Sequence, residues 1–459
     1  MRHSIESRRR LPFGPELTAE GRLCATLILI ALHFPWLPIA AAQENNQPPE
    51  GFKALFNGRD IDHWTGGLTR DPREIAALPA DERAAWDAEM RRGIREHWRV
   101  EDGVLVSDGK DPFLATTEDY GDFEMWVDWK IGPRGDSGIY LRGTPQVQIW
   151  DPSDPNVQSH GAGKGSGGLW NNKQHERFPT ELVDRPIGEW NHMHIRMVGP
   201  YVSVVLNDKQ VVDNVVMENY YDPKIPVFMR GPIYLQTHGA ETRFRNVFVR
   251  EIPAEESNRT LAEIGGEDGF EPLFNGKDLS GWTGAVDDYQ IADGAIQCKP
   301  ARGGNLLTKD TFDNFVVRLE FKLPPDGNNG LAIRAPVSND DLAYLGMELQ
   351  VLDDSAAKYN DLHDYQFHGS LYGLAPATRG YLRPVGEWNQ QEVTLDGDHL
   401  TVHLNGFEIL NVNVDELREK PLDGKEHPGA FRTSGHLGFC GHSDPVAYRN
   451  IRIKRLPTN

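Results

Sequence analysis

The chain has 459 residues, enough for more than one domain, and its 46 glycines and 31 prolines suit many short strands joined by turns. Its formal net charge of −20 disfavours nucleic acid and anionic membranes as general partners, because both are negatively charged themselves. The sequence contains no CxxC pair, HExxH motif, P-loop or GxSxG, which excludes the commonest signatures of zinc, nucleotide and serine-hydrolase sites.

The first 42 residues have the order of a secretory signal peptide. Arg8–Arg10 is basic, residues 23–37 are mostly apolar, and Ala40–Ala42 supplies small residues. We expect cleavage near Ala42–Gln43 and a secreted or periplasmic protein with no stable membrane insertion afterwards. An uncleaved membrane anchor is the alternative, but the apolar run is short and is interrupted by a histidine and a proline.

The rest of the sequence is a tandem repeat whose two copies open with one signature. Gly51–Trp64 (GFKALFNGRDIDHW) corresponds to Gly269–Trp282 (GFEPLFNGKDLSGW), 218 residues later. The offset falls to 191 at Trp98 and Tyr289, because copy one holds 27 extra residues after its first tryptophan. A repeat of this length is a whole domain rather than a solenoid unit.

This organisation predicts two domains, which we call copy one and copy two. The predicted segments are a signal peptide at 1–42, a polar spacer at 43–50, copy one at 51–252, an acidic linker at 253–268 and copy two at 269–457.

Strand patterns dominate both copies. Met125, Val127 and Trp129 alternate with polar residues, as Val317 and Leu319 do in copy two, and period two places one face of a strand on a core. Many such segments with frequent turn signals predict a β-sandwich in each copy. The extra residues of copy one, 73–98, have apolar residues at helical spacing and predict one or two surface helices, most simply a solvated excursion without function.

Three polar clusters occur in both copies: a strand ending in Arg, a strand with alternating polar residues ending in Asp, and a late His. In copy one they are Arg142; Gln146, Gln148 and Asp151; and His238; in copy two they are Arg334; Glu348, Gln350 and Asp353; and His442. Each has a structural alternative as a turn former, a solvated strand face or a packed histidine. A sheet face with these groups beside Trp170 or Tyr372 nevertheless suits a polyhydroxylated ligand.

The combination of motifs resembles a known family. LFNG-[KR]-D, SGIYLR, PQVQIWD, GEWN, VVLND and RGPIYLQTHG…FRNV are similar to the family catalogued as domain of unknown function 1080, which is associated with 3-keto-disaccharide or 3-keto-glucoside hydrolases. The resemblance covers both copies. It implies an all-β protein of two tandem concanavalin A-like jelly-roll sandwiches, with a short helical insertion in the first.

The resemblance also implies a polar cleft in each copy. The corresponding residues, with the aromatic Trp170 added in copy one, are Tyr140, Arg142, Gln148, Asp151 and His238 in copy one, and Arg334, Glu348, Gln350, Asp353, His368, Tyr372 and His442 in copy two. Copy one has Gln146 where the family commonly has Glu, and copy two has Ala332 where copy one has Tyr140. We therefore expect the two copies to differ in ligand or activity.

The implied reaction starts from a 3-keto-glycoside, in which the ketone acidifies the C2 proton. A base removes this proton, the C1 substituent leaves, and water adds to the enone. We expect His238 and His442 to be the common catalytic element, Glu348 an additional base or ligand, and the other cleft residues to bind substrate. The alternative function is a non-catalytic, lectin-like carbohydrate-binding protein, and a structural surface protein is a weaker third.

Two further properties stay open in the sequence. A Glu–Gln–Asp–His set can bind a divalent cation, so a metal cofactor is possible. Cys298 and Cys440 are the cysteines left after the leader, and they form either one disulfide or two buried free thiols.

Overall fold

The computed structural model describes residues 46–457, so the predicted signal peptide at 1–42 lies outside the described residues. The described residues belong to one compact unit. No helix between residues 46 and 457 is long and apolar enough to cross a membrane.

Copy one consists of two antiparallel sheets. Its elements are β1 (Lys53–Ala54), β2 (Trp64–Gly67), α1 (Pro72–Ala76), α2 (Ala80–His97), β3 (Trp98–Glu101), β4 (Val104–Ser107), β5 (Phe113–Thr116), β6 (Phe123–Ile131), β7 (Asp136–Leu141), β8 (Thr144–Trp150), β9 (Asn191–Val198), β10 (Tyr201–Leu206), β11 (Lys209–Val216), β12 (Tyr234–Leu235) and β13 (Thr242–Glu251). The larger sheet has the order β11-β10-β9-β6-β13-β4-β3, with β1 paired to β13, and the smaller sheet has the order β2-β5-β12-β7-β8.

Copy two repeats this arrangement after a connecting helix. Its elements are α3 (Ala254–Ile264), β14 (Glu271–Pro272), β15 (Trp282–Gly284), β16 (Tyr289–Ala292), β17 (Ala295–Cys298), β18 (Asn305–Thr308), β19 (Phe315–Lys322), β20 (Asn328–Ala335), α4 (Leu342–Leu345), β21 (Met347–Leu352), β22 (Trp388–Asp396), β23 (His399–Leu404), β24 (Phe407–Asn413), α5 (Val414–Leu417), β25 (His436–Gly441) and β26 (Ala447–Arg455). The larger sheet is β16-β17-β26-β19-β22-β23-β24, with β14 on β26, and the smaller is β15-β18-β25-β20-β21.

The alternation in the sequence is the reason for these layers. In β6, Met125, Val127 and Trp129 point into the space between the two sheets, and Val317 and Leu319 do the same in β19; all five are at most 2% exposed. Each buried side chain of this size contributes about 1.5–3 kcal/mol to folding. The prediction of an all-β protein with two tandem sandwiches is confirmed.

The helical insertion of copy one packs on the smaller sheet instead of projecting into solvent. Met90 and Ile94 of α2 are buried, and a Cβ at Gly66 of β2 would lie 2.7 Å from the Met90 carbonyl oxygen. Ahead of α1, the Thr69 hydroxyl lies 2.7 Å from the hydroxyl of Tyr140 in β7. The insertion therefore covers one side of the smaller sheet. The interpretation from the sequence, a solvent-exposed insertion without function, does not include this packing.

The predicted linker is mostly helix α3, which contacts both copies. The Arg196 guanidinium in β9 donates to the Thr260 hydroxyl at 2.8 Å, and the Asn258 amide donates to the Trp388 carbonyl oxygen at 3.3 Å. Asp122 of copy one also pairs with Arg383 of copy two at 3.2 Å. The two sandwiches are thus held together by buried polar contacts.

Both remaining cysteines, Cys298 and Cys440, are free and buried. Of the two arrangements that the sequence leaves open, the structure has the pair of free thiols.

Candidate functional site

The alternating Glx residues of the shared motifs, Gln146 and Gln148 in copy one and Glu348 and Gln350 in copy two, lie on the outer face of the smaller sheet. In copy two, Leu349 and Phe439 point into the core, so their neighbours Glu348 and Cys440 point the other way. In copy one, the same register places Gln146 at the position of Glu348. This outer face is the candidate site.

A cleft of about 490 Å³ opens on the outer face of copy two. The residues with polar or reactive side chains that line it include Asn305, Asp341, Glu348, Cys440 and His442. A volume of this size is in the ordinary range for small-ligand sites.

Glu348 lies in this cleft without a hydrogen-bond partner. The residue is 5% exposed, and its Oε1 has no partner among the described residues. A Cβ at Gly330 on the next strand would collide with the carboxylate, so the glycine is what allows Glu348 to lie across the sheet. Burial raises the pKa of Glu348 to about 8, and the negative charge of Asp341 adds to the effect. Glu348 is therefore largely a neutral acid at pH 7.

His442 faces the same cleft from the end of β25. The residue is exposed at its surface, but desolvation by the surrounding cleft lowers its pKa, against the opposing influence of Asp341 and Asp444. The imidazole is therefore predominantly neutral at pH 7 and can accept a proton. A protonated carboxyl group and a neutral imidazole in one cleft form an acid and a base whose environments have moved their pKa values apart.

The same region of copy one is filled by aromatic rings. Phe113, Tyr140 and Tyr234 form a buried cluster on the outer face, in which Tyr140 and Tyr234 stack at 5.5 Å between centroids. The strand register gives Ala332 and Gly438 in copy two the places of the two tyrosines. Tyr140, which the sequence predicts as a substrate-binding residue, is only 2% exposed beneath the insertion.

A chain of hydrogen bonds crosses the outer face of copy one. Asp136 lies 2.8 Å from Nδ1 of His238 and accepts from the Gln148 amide at 2.7 Å. Gln148 in turn accepts from the Gln146 amide at 2.6 Å. The hydrogen bond with Asp136 raises the pKa of His238, whose side chain is 67% exposed.

Asn328 replaces Asp136 in copy two. Its side-chain oxygen accepts from the Gln350 amide at 2.6 Å, so the hydrogen bond that Gln148 makes to Asp136 in copy one is kept here without a carboxylate. His442 consequently has no acidic partner at the place where His238 has Asp136. This substitution is one reason that the two histidines have opposite pKa shifts.

The two motif arginines are anchors inside the fold. Arg142 is fully buried, donates to the Gly121, Gly199 and Phe228 carbonyl oxygens and pairs with Asp122 at 2.9 Å. Arg334 is 3% exposed and donates to loop carbonyl oxygens in the same manner. A buried guanidinium group needs such acceptors. The sequence predicts that both arginines bind substrate, but in the structure both anchor loops inside the fold.

The two motif aspartates close the loops after β8 and β21. Asp151 accepts from the backbone N–H of Arg134 at 2.8 Å and of Ser153 at 2.8 Å. Asp353 accepts from the corresponding amides of Asp326 at 2.9 Å and Ser355 at 3.0 Å. These carboxylates are occupied by backbone donors, which places them in turns and not at the open cleft.

His368 lies between the sheets and not on the outer face. The ring is 2% exposed, stacks on Phe321 at 4.9 Å, and its Nδ1 accepts from the Leu352 amide at 3.4 Å. Burial lowers its pKa to about 3. The structure gives His368 a packing position, in contrast to the substrate-binding role that the resemblance implies.

The positions of these side chains show whether they could bind a metal ion together. The Glu–Gln–Asp–His set does not converge, because Asp353 is held by loop amides and His368 is in the core. Within residues 46–457, no three or more His, Cys, Asp or Glu side chains are grouped to hold a metal ion. The described residues therefore do not fit a resident cation, and the metal that the sequence leaves possible is untested.

The two aromatic residues that the sequence singles out occupy equivalent places at the sheet edge. The Trp170 amide donates to the Gln146 carbonyl oxygen at 3.1 Å, and the Tyr372 amide donates to that of Glu348 at 2.9 Å. Arg177 lies 4.0 Å above the Trp170 ring, whereas Tyr344 stands edge-on to Tyr372. Trp170 therefore lies beside Gln146 in copy one, and Tyr372 lies beside Glu348 in copy two.

Sequence reasoning misses Asn305, Asp341 and Cys440 as residues of the cleft. They differ from their counterparts in copy one, so the search for shared motifs passes over them. One signal was available: the offset between copies rises from 192 at Arg142 and Arg334 to 202 at Gln146 and Glu348. The ten added residues include α4 and the segment that carries Asp341.

Comparisons with known proteins agree with the repeat. A family model described as the 3-keto-alpha-glucoside-1,2-lyase-like domain matches residues 51–250 and again 269–454. A 3-keto-disaccharide hydrolase of Bacteroides thetaiotaomicron is 29% identical over 230 residues, which are 41% of this chain and 79% of that protein. Two crystal structures of candidate glycosyl hydrolases from Parabacteroides distasonis are also similar. One is 26% identical with a TM-score of 0.37, and the match covers 41% of this chain and 95% of that chain. The other is 27% identical with a TM-score of 0.37, and the match covers 41% of this chain and 99% of that chain.

Proposed function

The chain belongs to the 3-keto-alpha-glucoside-1,2-lyase-like domain family through both of its copies, and we propose that copy two cleaves 3-keto-glycosides by elimination and hydration. The family supports a carbohydrate as the partner. The named relative, a 3-keto-disaccharide hydrolase, supports the oxidised sugar as the substrate.

The observation that carries the assignment to copy two is the unpartnered, buried carboxyl group of Glu348. Natural proteins rarely leave such a group without a hydrogen bond unless it has a functional use. Its cleft also contains His442, so an acid and a base face one cavity. Copy one has Gln146 at the same position, and an amide cannot exchange a proton in this pH range.

In the proposed reaction, neutral His442 takes the proton from C2, and the electron pair forms the C1–C2 double bond as the C1–O bond breaks. Protonated Glu348 gives its proton to the departing oxygen, which leaves as a hydroxyl group. Water then adds across the double bond, its oxygen to C1 and a proton from His442 to C2. Ionised Glu348 accepts the remaining proton of the water, which returns both groups to their starting states.

The direct test is the release of free sugar from 3-keto-trehalose by the full protein. We expect Glu348→Gln to lower turnover by about 10²–10⁴-fold, the usual contribution of general acid–base catalysis. Glu419→Gln, at an exposed glutamate of the same copy, is the matched control and should leave turnover unchanged. Binding of the keto-sugar without turnover by the parent protein would favour the lectin-like alternative.

The same assay with a chelator tests the metal prediction. Glu348 and His442 require no metal for the steps described above, so we expect unchanged turnover. A loss of activity that added divalent cation restores would mean that a bound cation takes part in the reaction, which the steps described above do not include.

We also propose that the protein is exported through its leader. The support is the order of basic, apolar and small residues in 1–42. Mass spectrometry of the mature chain should find its first residue near Gln43, and an intact leader on the mature protein would contradict the proposal.

A further inference from the structure

The open cleft of copy two has an acidic wall. Asp340 and Asp341, directly before α4, and Asp288, directly before β16, all line the cleft of about 490 Å³. No lysine or arginine among the described residues lines it. The guanidinium group of Arg302 lies 3.8 Å from Asp288, but its side chain is 68% exposed and lies outside the lining. A cleft lined by charges of one sign concentrates their field and selects ligands by charge.

Hydrogen bonds hold the segment that carries Asp340 and Asp341 at the cleft. The side-chain amide of Asn305 in β18 donates to two carbonyl oxygens of this segment, at 3.0 Å in each case. Asp341 caps α4 by accepting from the N–H of Ala343 at 3.0 Å. The strand register gives Asn305 the place of Phe113 in copy one, so copy one has no such anchor. The two carboxylates therefore belong to a held part of the cleft wall that is particular to copy two.

A second observation points to a ligand at this wall. Oε1 of Glu348, a residue that is 5% exposed, lines the same cleft and has no hydrogen-bond partner among the described residues. The charge of Asp341 acts on Glu348 and on His442, so a molecule between these two groups also lies in the field of Asp341. The keto-glucose unit is uncharged in every 3-keto-glucoside. The leaving group, which receives the proton of Glu348, is therefore the part of the substrate whose charge can vary.

We propose that Asp340 and Asp341 make copy two selective for 3-keto-glycosides whose leaving group carries an amine, over those whose leaving group is an anion. The proposal rests on the proposed function for the identity of the substrate, and adds its charge class. An ammonium group can form charge-assisted hydrogen bonds with these carboxylates, whereas a carboxylate, phosphate or sulfate group is repelled by them. Amino sugars are accordingly favoured as leaving groups, uronic acids and sugar phosphates are disfavoured, and neutral sugars lie between.

The test compares three 3-keto-glucosides of a phenol whose para substituent ends in an ammonium, an amide or a carboxylate group. A two-carbon spacer separates this group from the ring, so the three phenols are similar in size and as leaving groups. We expect kcat/KM of the full protein to fall in the order ammonium, amide, carboxylate, with at least about tenfold between the extremes at low salt. Sodium chloride at about 0.5 M should narrow the difference, because ions screen the charges.

Variants separate the cleft wall from the net charge of the whole protein. Asp341→Asn removes one charge and keeps a side chain that caps helices well, and we expect it to lower the ratio of kcat/KM between the ammonium and carboxylate glycosides about threefold. The ratio is the readout because a change near Glu348 alters the turnover of all three glycosides together. Asp396→Asn, at an exposed aspartate in β22 of the larger sheet, changes the net charge equally and should keep the parent ratio.

Asp340→Asn gives the same test if Asp341→Asn folds poorly. A ratio equal to that of the parent in both of these variants would show that the wall does not select the substrate, and would overturn the proposal. An equal fall of the ratio in Asp396→Asn would overturn it too, since the net charge would then explain the preference.

Calorimetry of the three glycosides with Glu348→Gln distinguishes failure of this proposal from failure of the proposed function. Cleavage of the amide glycoside by the parent, with equal affinities of the variant for all three, would keep the proposed function and overturn the charge selectivity. Affinities in the order ammonium, amide, carboxylate, without cleavage by the parent, would support the selectivity of the cleft and overturn the proposed catalysis. Tightest binding of the carboxylate glycoside would overturn the selectivity in either case.

Discussion

The two copies have one architecture, but their smaller sheets present different outer faces. Copy two has an open cleft around Glu348, because the residues across the sheet from it are small. Copy one has Phe113, Tyr140 and Tyr234 over the same region, covered by the helical insertion. Both copies keep the scaffold, while a few substitutions on one strand face leave that face open in copy two and filled in copy one.

The late histidines, His238 and His442, also differ between the two copies. His238 and His442 end equivalent strands, but only His238 has a carboxylate at its side. The hydrogen bond with Asp136 raises the pKa of His238, whereas desolvation lowers the pKa of His442. A histidine that is neutral near pH 7 can accept a proton, which is the role proposed for His442.

The largest loss of activity should come from replacing His442, whereas replacing His238 should have little effect. His442→Ala should lower turnover of 3-keto-trehalose by about 10²–10⁴-fold, because it removes the base of the active copy. His238→Ala should keep turnover within a few-fold of the parent. Steady-state kinetics of both variants checks this, and equal loss in the two would mean that both copies are catalytic.

The next effect concerns the contact that joins the copies. Asp122 accepts from Arg142 and Arg383, and although burial disfavours its charge, these guanidinium groups hold its pKa below the ordinary value. Asp122→Ala would leave two buried cations unpaired, and we expect the free energy of unfolding to fall by about 3–5 kcal/mol. Chemical denaturation measures this, with Glu419→Ala as a surface control. A change below about 1 kcal/mol would show that the contact between copies contributes little.

The pH dependence of stability should differ between the parent and a Glu348→Gln variant. Folding raises the pKa of Glu348 from 4.5 to about 8, so the folded state binds more protons between these values. Its contribution to stability is full below pH 4.5 and is lost as the pH rises through 8. Glu348→Gln should therefore gain stability over the parent on going from pH 5 to pH 9, by a few kcal/mol at most. Parallel curves of melting temperature against pH would contradict the raised pKa.

The pH dependence of activity should follow the same groups. Turnover should fall above about pH 8, as Glu348 ionises and ceases to be an acid, and should fall in acid as His442 becomes protonated. A pH–rate profile of the parent protein measures both limbs. Activity that keeps rising well above pH 8 would exclude Glu348 as the acid.

The last and smallest effect tests whether a carboxyl group at position 146 is enough to make copy one active. Gln146→Glu, made in the inactive Glu348→Gln background, should restore less than one tenth of parent turnover, because the aromatic cluster still fills the face of copy one. The sugar-release assay gives the answer directly. Recovery of most of the activity would mean that the aromatic cluster does not prevent the substrate from binding.

The repeat, the sandwich fold and the strand face that carries Glu348 could all be predicted from the amino-acid sequence. Period-two alternation is a local property, so Val127 and Leu319 predict their buried positions without knowledge of their neighbours. The same spacing puts Glu348 and Gln350 on one face, and the exchange of Glu for Gln between copies is visible in the sequence alone.

Which of the shared polar residues are available to a ligand could not be predicted without the three-dimensional structure. Arg142 and Asp151 belong to shared motifs, but their partners come from distant loops, and these contacts bury them. The raised pKa of Glu348 likewise depends on burial beneath Asp341 and the α4 segment, which belong to other parts of the chain. Burial and electrostatic environment are produced by residues far apart in sequence, so residue type and spacing could place these groups on a face but could not assign their roles.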